Sequence, residues 1–445
     1  MKKTNDNSKL AINMLAAMLA GIIVGLLFMS LREKLGADSS TWTFINNLLF
    51  QDITLEGAES ALGIFYLCGQ LFIRALQLII VPMVFSSVVM AIGEIREAST
   101  LGRVSIKTMC WFMFTTCIAL LFAGIISFTC YKAGIFHISV DGITTTQGSI
   151  GSNPLQVILN IIPSNVGAVF SVNNSVLSIV FIAVVVGLAL NALNMNKNST
   201  IYHLCDEISK IIVIFLNFVV RKFGPAAIFM LLCRTFATYG IDYLKPALAY
   251  FLLCIALLLA YLLIGYPIYI ACICKLNPVK FIRKMFKVMI FGFSTSSSAA
   301  TLPLNLDTNI DELGVDSQIA SFVLPLGMTI NMDGTAIMQV VATLFIAGCS
   351  GYDVSIFQLV IIMFLALIAS MGTPAAPGAG AVILFTILSG VGFTGEQALI
   401  AYSLILAINR PIEMLVTSLN CVGDSVASVA VAKSENKFHM DIFKK

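Results

Sequence analysis

Ser321-Phe-Val-Leu-Pro-Leu-Gly-Met-Thr-Ile-Asn-Met-Asp-Gly-Thr-Ala-Ile-Met-Gln-Val-Val-Ala-Thr-Leu-Phe345 sets Asn331 and Asp333 in the middle of an otherwise apolar run. A carboxylate at membrane depth costs roughly 2.5–3.5 kcal/mol even on permissive insertion scales, so it is kept where it faces a partner, a cavity or an ion. The stretch therefore predicts a membrane protein with a functional centre inside it, and asks what neutralises Asp333.

Composition agrees. Of 445 residues, 58% are hydrophobic and 11% charged, with mean hydropathy +0.96, which excludes a soluble globular protein. The net charge of +3 is small and the basic residues gather at span ends, so no nucleic-acid partner is expected. Most of the eleven cysteines, among them Cys110, Cys117, Cys254 and Cys272, lie in apolar runs without metal-site spacing and read as small buried thiols. Lys2, Lys3 and Lys9 precede an apolar run too long for a signal core and without an obvious cleavage site, so the first span is expected to be retained.

With about 20 apolar residues needed per crossing, spans fall near Leu10–Leu31, Ala61–Gly93, Val104–Tyr131, Leu155–Leu193, Ile208–Tyr239 and Pro246–Cys274. The fourth is interrupted by Ile162-Pro163-Ser164 and by Val172-Asn173-Asn174-Ser175. Lys/Arg counts put the N-terminus, the Arg96 to Lys107 loop, the Lys275 to Lys287 cluster and the Lys433 to Lys445 tail on one side, the cytoplasmic one of an inner membrane. Arg221-Lys222 breaks an apolar stretch and is expected to snorkel.

Beyond Lys287 small polar tracts cut the apolar runs: Ser294 to Pro303, Asn331 to Thr335, and Ser370 to Gly380. Irregular backbone at that depth survives only when buried in protein or lining a cavity. The first and third tracts read as tips of two hairpins of half-length helices, a device of secondary transporters. From Glu396 to Ala432 one further span carries Asn409, Glu413, Thr417, Asn420 and Asp424 at steps of 4, 4, 3 and 4, all on one face. Hydroxyls and amides alone would serve as glue between helices. Two added carboxylates point instead to an ion and solute path. Asp333, Glu413 and Asp424 stand against one nearby base, Arg410, which can pair with Glu413 at i, i+3. Hard oxygen donors without cysteine or histidine suit sodium, and protonation of Asp333 and Asp424 answers the same charge problem.

Thr295-Ser-Ser-Ser298 with Thr301-Leu-Pro303, Asn331-Met-Asp-Gly-Thr335, Gly372-Thr-Pro-Ala-Ala-Pro377-Gly-Ala-Gly380, Asn420-Cys-Val-Gly-Asp424 and Leu101-Gly-Arg-Val104 occur in this order. Together they resemble the dicarboxylate/amino acid:cation symporter family over nearly the whole chain. The resemblance implies an all-α polytopic fold with inverted repeats, eight transmembrane helices plus two re-entrant hairpins (Asn277 to Leu306 and Ile356 to Leu388), an elevator mechanism, a homotrimer and no enzymatic activity. Residues 1–75 would hold scaffold helices 1 and 2, 76–133 the end of helix 2 with transport-domain helix 3, 134–245 scaffold helices 4 and 5, and 246–445 the transport domain.

It further implies sodium ligands and no organic cofactor: Gly327, Asn331, Asn420 and Asp424 in one site, Thr115, Thr116, Asn331 and Asp333 in a deeper one, and Thr329 and Met332 with hairpin backbone in a third. Substrate would lie among Ser297, Ser298, Thr335, Ala375, Pro377, Gly378, Glu413, Val416, Thr417 and Asn420. Two departures decide its chemistry. Val416 stands where acidic-substrate members have an arginine, and Glu413 where amino acid carriers have an aspartate for the ammonium. Asn409, Ala299 and Pro374-Ala375 also depart from the family pattern. The expected cargo is a small neutral amino acid such as alanine, serine or threonine, carried with sodium. That holds provided Arg410 does not neutralise Glu413. The alternative in the same fold is a sodium- or proton-coupled carrier of dicarboxylates or acidic amino acids that uses Arg410 or an arginine elsewhere for the carboxylate.

Overall fold

A computed structural model describes residues 2–54, 57–93, 100–137, 161–171, 176–193, 199–240, 244–373 and 378–444. In chain order the helices are α1 (Lys2–Leu35), α2 (Ser40–Leu49), α3 (Ile64–Gln77), α4 (Ile80–Gly93), α5 (Thr100–Lys132), α6 (Val166–Phe170), α7 (Val176–Ala192), α8 (Thr200–Phe218), α9 (Gly224–Tyr239) and α10 (Leu244–Ala260). They continue with α11 (Tyr266–Cys272), α12 (Pro278–Thr295), α13 (Ser298–Asp307), α14 (Ser317–Ile330), α15 (Asp333–Cys349), α16 (Ile356–Met371), α17 (Ala379–Gly390), α18 (Glu396–Ile408), α19 (Arg410–Ser434) and α20 (Met440–Lys444). Among the described residues the only β feature is an isolated bridge between Val315 and Phe438. Seven stretches of the described residues are long and apolar enough to cross a membrane: Ile12–Leu35, Ile64–Met90, Arg103–Lys132, Thr200–Tyr239, Lys245–Cys272, Ser317–Cys349 and Arg410–Ser434.

Burial sorts them. The most apolar 18 residues of the Ser317–Cys349 stretch are 100% buried and those of α19 89%, whereas those of Ile12–Leu35 are 18% buried. α15 packs on α5, α10, α16, α17, α18 and α19 and is the axis of the enclosed part. Its polar tract is thus surrounded by protein, as backbone in hydrocarbon requires. On the outside, α1 lies against α9 through Gly21 and Gly25, where a Cβ would come within 2.8 Å of the Phe229 carbonyl and of the Phe236 Cβ. Close approach at small residues is how helices associate in lipid.

The serine tract forms a turn between α12 and α13, which pack on each other. Ser296 adopts the left-handed conformation (φ 48°), and Ser297 caps α13 by accepting from the Ala300 N–H. α16 opens with a capping box of Ser355 and Gln358, and α17 begins after Gly378 (φ 86°). The expected tip residues Pro374, Ala375 and Pro377 lie outside the described residues, as does the Val172 to Ser175 interruption; the break at Pro163 is present.

Four expectations are corrected. Glu396 to Ala432 is not one rod: Pro411 has no N–H for the Ala407 carbonyl, and helix stops at Ile408 and restarts at Arg410. The first hairpin's return helix continues past Leu306 through a π-helical turn, Thr308–Leu313, to Gly314 (φ 81°). The span expected from Ile208 begins at Thr200, capped by Ser199, and a π turn at Val219–Phe223 just before Pro225 carries exposed Arg221 and Lys222. Cys254 is buried, but Cys110, Cys117 and Cys272 are exposed on outward apolar faces, where a thiol is hydrophobic enough to meet lipid.

One end gathers the basic clusters. Glu435 accepts from Arg103 Nε and Nη2 (3.1 and 2.7 Å) and from Lys107 Nζ (2.5 Å). Hydrogen bonds from Arg103 and Lys107 hold its carboxyl at about 2, below the ordinary range. A depressed carboxyl contributes stability that is complete above its unfolded value and is lost as pH falls through the folded one. Arg103 is 64% exposed, so solvent screening keeps the contribution small. Glu435→Gln is expected to lower the unfolding temperature in detergent at pH 6 and to leave a smaller further loss between pH 4.5 and pH 2 than in the wild type. Thermal scans by circular dichroism check this, and parallel pH curves would contradict it.

Candidate functional site

The break at Asn331-Met332 sets the C-terminus of α14 against the N-terminus of α15, with Asp333 in α15's first turn, where the helix dipole favours an anion. Asp333 is fully buried and is held by hydroxyls. Thr116 donates to Oδ1 at 2.5 Å, Thr115 at 3.4 Å, and Tyr266 to Oδ2 at 2.9 Å. Thr115 also lies 3.4 Å from Asn331 Oδ1. Thr115, Thr116, Asn331 and Asp333 therefore lie together in one cluster.

Asn331 leads to the second cluster by donating from Nδ2 to Asp424 Oδ1 at 3.1 Å. Gly327 leaves room for that carboxylate: a Cβ there would stand 2.5 Å from Asp424 Oδ1. Asn420 accepts from the Gly334 N–H (2.8 Å) and donates to Met332 Sδ (3.1 Å) and Thr335 Oγ1 (3.3 Å). Gly327, Asn331, Met332, Thr335, Asn420 and Asp424 thus surround the α14–α15 break. Thr329 and Thr417 instead return their hydroxyls to carbonyls of their own helices, Leu326 and Glu413. Ser298 and Thr301 lie against the Cys421 thiol, and Val416 is a buried apolar neighbour of Gly334.

Among the described residues no cation pairs with Asp333 or Asp424, and no group of three or more His, Cys, Asp or Glu is assembled. Neutral oxygens with one carboxylate each are a donor set for a small hard cation of low charge.

Arg410, Glu413, Thr417, Asn420 and Asp424 form a row on α19 at steps of 3, 4, 3 and 4. Arg410 and Glu413 are 5% and 8% exposed, and Arg410 Nη1 lies 3.5 Å from Glu413 Oε2. The pairing removes the ground for reading Glu413 as an unneutralised acid awaiting an ammonium. Arg410 Nε and Nη1 and Glu413 Oε1 have no hydrogen-bond partner among the described residues. Asn409, at the head of the row in the sequence reading, instead accepts from the Tyr250 hydroxyl at 2.7 Å.

Sequence reasoning missed Tyr266, Tyr261 and Tyr269. Tyr261 donates to the Thr115 carbonyl (2.7 Å) and meets the Tyr269 hydroxyl at 3.1 Å. Three phenols within nine residues of an apolar span were the available signal. Gly423 is the matching small residue on α19, since its Cβ would sit 2.3 Å from Tyr266 OH.

A sequence profile described as the sodium:dicarboxylate symporter family matches residues 10–434. A proton/glutamate-aspartate symporter of Escherichia coli (strain K12) is 28% identical over 98% of this chain and 94% of its own length. A proton/sodium-glutamate symport protein of Bacillus caldotenax is 26% identical over 83% and 88%. A C4-dicarboxylate transport protein of Bacillus subtilis (strain 168) is 26% identical over 83% and 87%.

Hydrogen bonds to a buried charge contribute about 1.5–3 kcal/mol each. Thr116→Val and Tyr266→Phe are each expected to destabilise the purified protein by that order, read as a lowered unfolding temperature. Thr129→Val, which removes only an exposed bond to the Ile125 carbonyl, is the control. Equal effects in all three would contradict the assignment.

Proposed function

Because the chain belongs to the sodium:dicarboxylate symporter family, whose members are elevator-type transporters and not enzymes, we propose that it carries a small dicarboxylic acid, acidic amino acids included, in symport with sodium. The observation that carries the substrate class is Arg410: a buried guanidinium in the row of Glu413, Thr417 and Asn420, whose Nη1 faces Glu413 across 3.5 Å without a hydrogen bond and whose Nε has no hydrogen-bond partner among the described residues. A buried guanidinium strongly favours a carboxylate that can accept from two of its nitrogens at once. The similar symporters named for glutamate, aspartate and C4-dicarboxylates support the same class. In this reading the substrate's distal carboxylate displaces Glu413 from Arg410, and Glu413 then turns to the ammonium of an acidic amino acid.

Sodium occupies the Thr115, Thr116, Asn331, Asp333 cluster and the Gly327, Asn331, Asn420, Asp424 cluster, with Thr329 and Met332 at a third. Substrate lies between Ser297 and Ser298 on one side and Ala375, Pro377 and Gly378 on the other, beside Thr335, Val416 and Thr417. The pairs α12–α13 and α16–α17 act as re-entrant hairpins of a transport domain that moves against scaffold helices α1 to α4 and α7 to α9. The unit is a homotrimer in the cytoplasmic membrane with both termini inside. A second reading, a small neutral amino acid as cargo, is favoured by Val416, whose buried apolar side chain offers no charge.

Uptake of labelled succinate, glutamate, aspartate, alanine and serine into proteoliposomes, under sodium and under acid gradients, separates the readings. The proposal expects sodium-driven uptake of an acidic substrate. Neutral uptake with no acidic transport sinks it in favour of the second reading, and uptake driven by acid alone overturns the sodium coupling. Arg410→Ala is expected to weaken the acidic substrate on the order of 100-fold, the usual scale for losing one partner of a buried charge pair. Glu413→Gln is expected to cost glutamate more than succinate.

A further inference from the structure

Directly beyond Asp424, α13 and α19 are joined by a buried polar ladder that the ion and substrate clusters do not use. Asn305 donates from Nδ2 to the Cys421 carbonyl (3.0 Å) and accepts from Ser425 Oγ (2.7 Å). One turn on, Asn309 donates from Nδ2 to Ser425 Oγ (2.9 Å), Asn305 O (2.8 Å) and Asn305 Oδ1 (3.1 Å). The helices run in the same direction here, Asn305 beside Cys421 and Asn309 beside Ser425. Ser428 therefore lies a further turn towards the end where Lys284 Nζ binds the Glu312 carbonyl (2.7 Å).

Asn305 is 2% exposed, and Asn309, Ser425 and Ser428 are 0%. Asn309 Oδ1 and Ser428 Oγ nevertheless have no hydrogen-bond partner among the described residues. A buried polar atom in that position has given up its hydrogen bonds to water without gaining others. Turning the Asn309 amide over would set its oxygen against two acceptors on Asn305, so the network fixes the carbonyl as the free end. Glue between helices accounts for the three bonds of Nδ2 and leaves the oxygen unexplained. Asn309 also sits in the π-helical turn Thr308–Leu313, a distortion that is common at functional sites.

We propose that Asn305, Asn309, Ser425 and Ser428 form a further sodium site, about one helical turn beyond Asp424, at which the ion pauses on its way from the Asp424 cluster to the base of the first hairpin. The site rests on the sodium-coupled reading above. Its ligands are neutral oxygens, so the ion is held less strongly than beside Asp424. Passage requires sites that bind well enough to be entered and weakly enough to be left. The α13 stripe Thr301, Asn305, Asn309 at i, i+4 and i+8 carries this chemistry in the sequence.

The test uses the full-length protein in proteoliposomes, with Asn309→Leu, Asn309→Asp and Ser428→Ala. Asn309→Leu is expected to keep sodium-dependent equilibrium binding of the acidic substrate while slowing net uptake at least about 10-fold, the scale of one lost buried ligand. Asn309→Asp restores uptake and makes sodium on the hairpin-base side a stronger inhibitor, and Ser428→Ala makes it a weaker one. The proposal is overturned if Asn309→Leu turns over like wild type, or if the Asp variant loses as much as the Leu variant. Should Asn309→Leu not fold, inhibition by sodium from that side decides, and values unchanged in both remaining variants overturn the site. Failure of the coupling itself is read separately, in the wild type, as sodium-independent uptake.

Discussion

Everything in the enclosed part of this protein is arranged around a carboxylate that cannot reach water. Asp333 lies in a helix buried along its whole length, and its oxygens are met by Thr116, Thr115 and Tyr266. These donors require α5, α11 and α15 to converge within hydrogen-bond reach. The break at Asn331-Met332 turns the α15 N-terminus towards the carboxylate, and Gly423 opens the space that the Tyr266 hydroxyl fills. Hydroxyls orient the charge but do not cancel it, and a buried anion without a countercharge is strongly unfavourable. In the proposed function a cation that enters with the cargo supplies what the fold withholds.

The same logic separates ion chemistry from cargo chemistry. Asn331 ties Asp333's cluster to Asp424, and Asn420 ties the start of α15 to the middle of α19. Further towards its N-terminus α19 carries the Arg410–Glu413 pair, where a fixed cation already stands. In the proposed function small cations are held where acids lack partners, and a carboxylate cargo is drawn to the Arg410 guanidinium. One helix face would then serve two kinds of ligand because its charges are paired at one end and unpaired at the other.

The positions of the chemistry were legible in the sequence because polar groups in an apolar chain are few and costly. The serine tract, Asn331 to Thr335, the Pro/Gly tract and the α19 stripe all stood out against 58% hydrophobic residues. The starts of α12 and α16 fell where expected, since the caps Asn277 and Ser355 are local signals. Side-chain pairing was not legible. Arg410 and Glu413 could be read as partners or as separate substrate contacts, and only packing decides that Glu413 faces Arg410. Tyr266 was missed because a phenol in a helix names no partner until its neighbours are known. The π turn at Thr308–Leu313 extended α13 beyond the expected end, since its cause lies in tertiary contacts with α12, α19 and α20.

The central claim is that sodium neutralises the buried carboxylates, and its most direct measurement is the unfolding temperature of the purified protein against sodium at constant ionic strength, balanced with choline. Binding to the folded state alone stabilises by RT ln(1 + [L]/Kd), about 2.7 kcal/mol at one hundred times Kd. The account predicts a rise with the logarithm of sodium that choline does not reproduce and that Asp333→Asn diminishes. Identical curves in sodium and choline, with stabilisation on acidification instead, would contradict it.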